Sequence, residues 1–359
     1  MVFPINTNGG AFQLTPQRIA SLIQYFERRP TKRTICWDMG LFSEVSRVTS
    51  LITIEERGRV LNMIEPNVHS SPAQQAVGGT SRLISFSTNS YKANARVTAS
   101  MLEGRVIAGN GAWNFQVEND LIMEAQEELG DAHDVTREHA VISCLRGKVV
   151  SPLGVDLLDM HDTFLTTKRK KFEWEFGAEG LSLPNLLQDL IDYMDDANDG
   201  VVFNEIGVFC TPNFAKSLRS EPSFLDLYKN TPQVQNIATE TRLAMPFVMP
   251  GFESIKFIPY KFSAPILDVN GDRKMVNFLP ETPKGNAVIF PILPRTNRTL
   301  MVHKSPARYL STVNKPPTGN GRFIKIIRDP NDEFLDILTE ANYVPTNLRP
   351  ALTGDILGA

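Results

Sequence analysis

The stretch Asn114–Lys148, NFQVENDLIMEAQEELGDAHDVTREHAVISCLRGK, decides how the rest of the chain is read. Leu121, Ala125, Leu129, Ala132, Val135, Ile142 and Leu145 recur at helical steps and do not alternate as in a strand. Asn114 is placed as N-cap, Glu118 and Asp120 sit near the positive end of the helix dipole, and Arg146 and Lys148 sit near the negative end. Gly147 is placed to stop the helix. The spacing predicts one helix over 114–147, about 50 Å long at 1.5 Å per residue. Gly130 and the on-stripe Glu128 mark its middle as the place for a bend.

A second stripe runs beside the apolar one. Asp120, Glu124, Glu127, Asp131, Asp134 and Glu138 step by three or four and share one face. Solvent exposure is the ordinary explanation. Like charges at this spacing repel by a few tenths of a kcal/mol each, so the ridge also suits a basic partner or a surface that repels one. His133 and His139 lie on different faces and do not complete a metal site with these acids.

Outside the helix the chain reads as mixed α+β. Thr15-Pro16 opens a short helix, PQRIASLIQYFER, after a polar arm over 1–14. RTICWDM (33–39) and VTSLITIEE (48–56) are β-rich runs. EPNVHSSPAQQAVGGTSR (65–82) has almost no large apolar side chain and must protrude. With strand-like segments on both sides it makes an extended two-stranded arm. KVVSPLGVDLLDM (148–160) reads as a hairpin turning at Pro152-Leu153-Gly154. KRKK (168–171) reads as a solvated loop, with a nuclear signal or a phosphate contact as alternatives. NLLQDLIDYMDDA and NFAKSLRSEPSFLDLYK read as helices, and VVFNEIGVFCTP reads as a buried strand between them. Strands then dominate from 243 to 302, with Asn270-Gly271 as a hairpin turn, followed by RFIKIIRD and EFLDILTEANYVP.

Composition bounds the function. A chain of 359 residues with net charge −3 and 21% charged residues suits a soluble protein of two or three domains, not a dedicated nucleic-acid binder. No apolar run is long enough to span a membrane, and the N-terminus shows no basic-then-apolar signal pattern. Cys36, Cys144 and Cys210 are scattered and odd in number, so they read as reduced and semi-buried.

No catalytic, cofactor-binding or metal-binding residue is assigned. Asp268-Val-Asn270-Gly-Asp272 opens like a calcium loop, but Arg273 and Leu279 stand where that loop needs Gly and Glu. GGTSR (78–82) and IAGNGAW (107–113) lack the phosphate-loop pattern. A spatially assembled enzyme site, for example around Asp159, His161 and Asp162, is the competing function. Structure without a chemical motif, with an arm, a ribbon and a long helix, suits a subunit that contacts copies of itself.

Several segments carry a family resemblance: LTPQRIASLIQYFERRPTKR, LISFSTNSYKANARVTASM, AVISCLRGKVVSPLGVDLLDM, FCTPNFAKSLRSEPSFLDLY and GFESIKFIPY…DVNGDRKMVNFLPE. Over about residues 15–340 the chain resembles the lambda-type major capsid proteins of tailed bacteriophages, with the Hong-Kong-97-like capsid fold. Leu145-Arg146-Gly147-Lys148-Val149 matches the family's helix end and hairpin, and Phe209–Ala215 matches its strand-Pro-helix step.

The resemblance implies an N-terminal arm over 1–35 and an extended loop over 55–92. It implies a peripheral domain over 36–54 and 93–184 containing the spine helix, and an axial domain over 185–300. Residues 301–359 would return to the peripheral domain and end in a tail. It further implies no enzymatic activity and no cofactor. Hexamers and pentamers of the chain would form the icosahedral head, around packaged double-stranded DNA bound without sequence preference. Scaffold, portal and decoration proteins are partners it leaves room for, with no membrane. The chain would reside in the virion, and in the host cytoplasm during assembly. The acidic ridge would face the DNA or a neighbour's basic residues, such as Arg57, Arg59 or Lys168–Lys171.

Overall fold

The computed structural model describes residues 34–61, 77–103, 115–166, 169–198, 200–229, 246–268, 270–294, 296–317 and 319–358. The helix expected at 16–28, the arm's tip, the Asn114 cap and the IAGNGAW segment lie outside these residues. In chain order the elements are α1 (Ile35–Asp38), β1 (Ser43–Ser46), β2 (Leu51–Leu61), β3 (Val77–Ser87), β4 (Asn89–Thr98), α2 (Ala99–Glu103) and α3 (Phe115–Leu145). Then come β5 (Lys148–Val150), β6 (Asp156–Asp159), α4 (Met160–Phe164), β7 (Lys170–Trp174), α5 (Leu183–Asp196), β8 (Glu205–Cys210), α6 (Pro212–Ser220) and α7 (Pro222–Lys229). The remainder is β9 (Phe247–Met249), β10 (Phe252–Pro259), β11 (Ser263–Leu267), β12 (Arg273–Asn277), β13 (Asn286–Ile292), β14 (Leu300–Ser305), β15 (Arg322–Arg328), β16 (Phe334–Asn347) and β17 (Gly354–Gly358).

The long helix α3 is as the periodicity predicts and runs unbroken through Gly130. Gly147 stops it at φ +87°, donating its N–H to Cys144 at 2.9 Å. No described helix is long and apolar enough to cross a membrane. The chain divides into two compact units. One contains the described parts of Lys92–Ala132 and Ile324–Thr339. Its small core is Val97, Leu121, Leu129, Leu335 and Ile337, and Arg96 forks onto Asp336 at 2.7 and 3.0 Å.

The larger unit holds the described parts of Arg33–Tyr91, His133–Phe323 and Glu340–Ala359. Its six-stranded sheet has the order β7-β17-β13-β8-β10-β9. Alternation along its central strands feeds two cores. Ile206, Val208, Cys210, Ala287 and Ile289 pack with Leu183, Leu187, Leu190 and Phe214 of the helices α5 and α6. Phe209, Val288 and Phe290 face the other way, into the core that contains Val141, Ile142 and Leu145 of α3. A strand buried on both faces must be apolar at every position, which is why IGVFC (206–210) reads as a continuous run.

Both expected hairpins form. β5 pairs with β6 around Gly154 at φ +90°, and β11 pairs with β12 around Gly271 at φ +83°. The extended arm forms as well: β2 and β3 pair antiparallel from Leu51↔Ser87 to Leu61↔Val77. Cys36, Cys144 and Cys210 are free and buried.

Two expectations are corrected. RTICWDM forms the helix α1 and not a strand, because the N–H groups of Cys36 and Trp37 go to the carboxylate of Glu138 and not to a neighbouring strand. NFAKSLRSEPSFLDLYK is two helices, since Glu221 before Pro222 adopts an extended backbone at φ −67°, ψ 134°. The chain after 301 divides between sheets: β14 and β16 pair with each other, while β17 pairs parallel with β7 and antiparallel with β13.

Gly285, just before β13, has φ +88°, and a Cβ there would lie 2.1 Å from the backbone nitrogen of Phe214. Gly285→Ala is therefore expected to destabilise the larger unit by roughly 3 kcal/mol or more, read as a lowered midpoint in thermal unfolding.

Candidate functional site

The second half of α3 concentrates the buried polar chemistry of the larger unit. Asp134 and Glu138, the last two carboxylates of the acidic stripe, are buried. Asp120, Glu127 and Asp131 are exposed and Glu124 is half-buried. A solvated face therefore describes only the first half of the ridge. The same face passes from solvent to interior, and the period alone does not register that change.

Glu138 is fully enclosed, at 0% exposure. Its Oε1 accepts the Cys36 N–H at 2.8 Å and the Tyr260 hydroxyl at 3.2 Å, and its Oε2 accepts the Trp37 N–H at 3.1 Å. Burial pushes its carboxyl up to about 7, while the three donors pull the other way and Asp38 adds to the rise. The carboxyl group thus joins α1, α3 and the end of β10.

One turn earlier, Asp134 accepts from Arg137 at 2.7 Å and also pairs with Arg322. The Arg137 guanidinium lies 3.9 Å from the centre of the Trp37 ring. Lys304 on β14 pairs with Glu44 of β1 and donates to the Gly319 carbonyl at 3.2 Å. Burial, then the charges of Arg322 and Arg137, hold His133 down to about 4, so it is neutral.

The C-terminal end of α3 is tied down by the KRKK segment. Arg169 is not a solvated loop residue but a buried cation. It donates to the Leu145 carbonyl at 2.5 Å, to Gly354 at 2.9 Å and to Asp355 at 2.8 Å. A cation here satisfies an orphan carbonyl and complements the negative end of the dipole. Lys170 and Lys171 begin β7 and are exposed, and Lys168 lies outside the described residues. The neighbouring cleft of about 360 Å³ is lined by Arg146, Lys148, Asp159, His161, Asp162 and Arg169, among others.

Asp159, His161 and Asp162 do come together, as a helix cap. The Asp159 side chain accepts the N–H groups of His161 at 2.9 Å and Asp162 at 3.2 Å, and pairs with Lys148 at 3.0 Å. Among the described residues, no group of three or more His, Cys, Asp or Glu is disposed to hold a metal ion.

The arm presents two faces. Ile52, Ile84 and Phe86 enter the core, whereas Leu51 and Leu83 on the opposite face are 60% and 70% exposed. Arg57, considered above as a partner for the acidic ridge, pairs with Glu55 on its own strand at 2.8 Å. The side chain of Arg59 lies outside the description.

The model of the phage major capsid protein E family matches residues 18–355. The chain belongs to the phage major capsid protein E family. The major capsid protein of Pseudomonas phage KPP10 is 23% identical over 324 residues, covering 88% of this chain and 89% of that protein. The mature capsid of bacteriophage PhiM1 aligns with a TM-score of 0.53 at 11% identity, covering 93% of this chain and 91% of that chain. The putative capsid protein of a prophage of E. coli CFT073 gives 0.52 at 13%, covering 90% and 92%. These likenesses establish the phage capsid fold expected from the sequence segments. This is a major capsid protein of a tailed phage, a component of the virion shell.

The residues that sequence reasoning missed are Arg169, Tyr260, Lys304 and Arg322, each a partner supplied from a distant segment. Two predictions follow from this capsid subunit's buried ions. Glu138→Gln cannot accept on both sides, so about 1–3 kcal/mol of stability should be lost. The folded pKa is raised above the ordinary 4.5, so the stability that Glu138 contributes by titrating is complete below about 4.5 and lost as pH rises to about 7. The gap between wild type and Glu138→Gln in chemical denaturation should therefore narrow over that window and level off above it. Separately, Arg169→Met leaves Asp355 and the Leu145 carbonyl without their cation, and should lower stability by about 3 kcal/mol in the same assay.

Proposed function

We propose that copies of this chain assemble as hexamers and pentamers into the icosahedral head of a tailed phage, enclosing double-stranded DNA. The supporting observation is the β2–β3 ribbon, whose outer face carries Leu51 and Leu83 uncovered by the described parts of its own chain. An apolar outer face on a projecting ribbon suits burial against a neighbouring subunit. The role is structural, with no catalysis assigned to Asp159, His161 or Asp162. Scaffold, portal and decoration proteins are the further partners, and assembly takes place in the host cytoplasm.

The domain layout belongs to the same proposal. Residues 1–35 form the arm and 55–92 the extended loop. The peripheral domain takes 36–54 and 93–184 with the spine helix, and the axial domain is built on 185–300. β17 pairs with β7 and with β13, which supports counting 170–174 and 354–358 with the axial sheet and leaving a smaller part of 301–359 to the periphery.

The exposed acids in the first half of α3 sit beside Met123, which is 61% exposed. Acid with apolar surface fits a basic patch on a neighbouring protein better than packaged DNA. Purified chain should form megadalton shells or capsomer rings in electron microscopy. A stable small oligomer that turns over a substrate would overturn the reading. Glu124→Lys with Glu127→Lys should cut shell yield by roughly tenfold or more, since like-charge juxtaposition costs at least about 1.4 kcal/mol. Normal shells with altered DNA content would assign that face to the lumen.

A further inference from the structure

β14 lies inside its sheet, between β1 and β16. His303 is opposite Val45 of β1 and Val344 of β16. It has no exposed surface, and neither ring nitrogen has a hydrogen-bond partner among the described residues. A buried histidine so placed is tolerable only as the neutral imidazole.

The root of the β2–β3 ribbon meets this face of β14 at two matched points. The Phe86 ring meets the His303 ring edge-on, with centroids 5.7 Å apart. Two residues further on in both segments, the Thr88 and Ser305 hydroxyls lie 2.7 Å apart. The spacing of two keeps both contacts on one face of β14. Phe86 is buried and Ser305 has no exposed surface, so the docked root closes over this part of the sheet.

The charges around the ring offer a proton no counter-ion. Arg47, just after β1, donates its N–H to the Lys304 carbonyl at 2.7 Å, and its Nε is buried without a partner among the described residues. Burial first, then the Arg47 charge, hold the His303 imidazole down to about 4. Glu44 and Lys304 leave the adjacent strand positions on the opposite face and pair with each other. Glu340, further along β16, accepts from the Arg308 N–H at 3.2 Å and the Asn342 amide at 2.8 Å. On the ribbon, Glu56 and Arg82 pair with each other. An imidazolium here would present two N–H donors with no acceptor among the described residues, beside a guanidinium.

We propose that His303 is a proton-operated latch for the ribbon: while neutral it lets the root dock on β14, and once protonated it releases the root. The latch acts within one subunit and is independent of the assembly proposed above. With about 4 for the docked ring against about 6.5 for a ring in water, docking is favoured above pH ~6.5 and loses ground as pH falls. The ratio of released to docked root should rise roughly twentyfold from about pH 7 to about pH 5.

Hydroxyl-radical footprinting of the purified full-length chain reads this release as labelling of Phe86, with the fully buried Phe209 and Phe290 as internal references. A local readout is needed because His133 and His139 are also held down to about 4. In the wild type, Phe86 labelling relative to the references should rise several-fold or more over that interval and reverse when neutral pH is restored. His303→Leu, which cannot take a proton, should keep it flat. Arg47→Met, which leaves the histidine in place, should reduce the rise, because the ring then titrates closer to its ordinary value. No rise in the wild type would overturn the proposal. So would a rise shared equally by Phe209 and Phe290, or an undiminished rise in either variant.

Discussion

The larger unit depends on one buried carboxylate. Glu138 has no exposed surface, yet each of its oxygens accepts at least one hydrogen bond from another part of the chain. Removing a carboxylate from water is costly, and only such donors make the position tolerable. In return the group specifies where α1 and the end of β10 meet the long helix. Apolar packing among Cys36, Val141, Leu145 and Tyr260 supplies most of the burial there but does not by itself select a register. The hydrogen bonds do.

The long helix carries two chemistries on one geometric face. Its first half shows solvent-facing acids over the small core of Leu121, Leu129 and Ile337. Its second half turns the same face inward onto Arg137, Arg322, Tyr260 and the backbone of α1. The second half is thereby a structural post within the larger unit. Arg169 closes the post by meeting the Leu145 carbonyl at the end of the helix and the Gly354 carbonyl of β17.

Local signals were legible in the sequence. The helix showed through its apolar period and its Gly147 stop, the hairpins through Gly154 and Asn270-Gly271, and the doubly buried strands through their unbroken apolar runs. The capsid family showed through short segments around these elements. What stayed hidden depends on partners far away in sequence. Cys36 and Glu138 are 102 residues apart, and Arg169 and Asp355 are 186 apart. RTICWDM has the β-rich composition of a strand and becomes a helix because a remote carboxylate takes its amides. KRKK looks solvated until one of its four cations finds a helix end and an aspartate. The last strand escaped notice because Gly354–Gly358 is short and contains two glycines, so its pairing with β7 and β13 is tertiary in origin.

Residue-resolved hydrogen–deuterium exchange at the amides of Cys36 and Trp37 tests the central role of Glu138 most directly. The account predicts that both amides are protected nearly as strongly as the core amides of β8 and β13, although α1 is only a single turn. It also predicts that Glu138→Ala releases these two amides while the β8 and β13 amides keep most of their protection. Rapid exchange of Cys36 and Trp37 in the wild-type chain would contradict it.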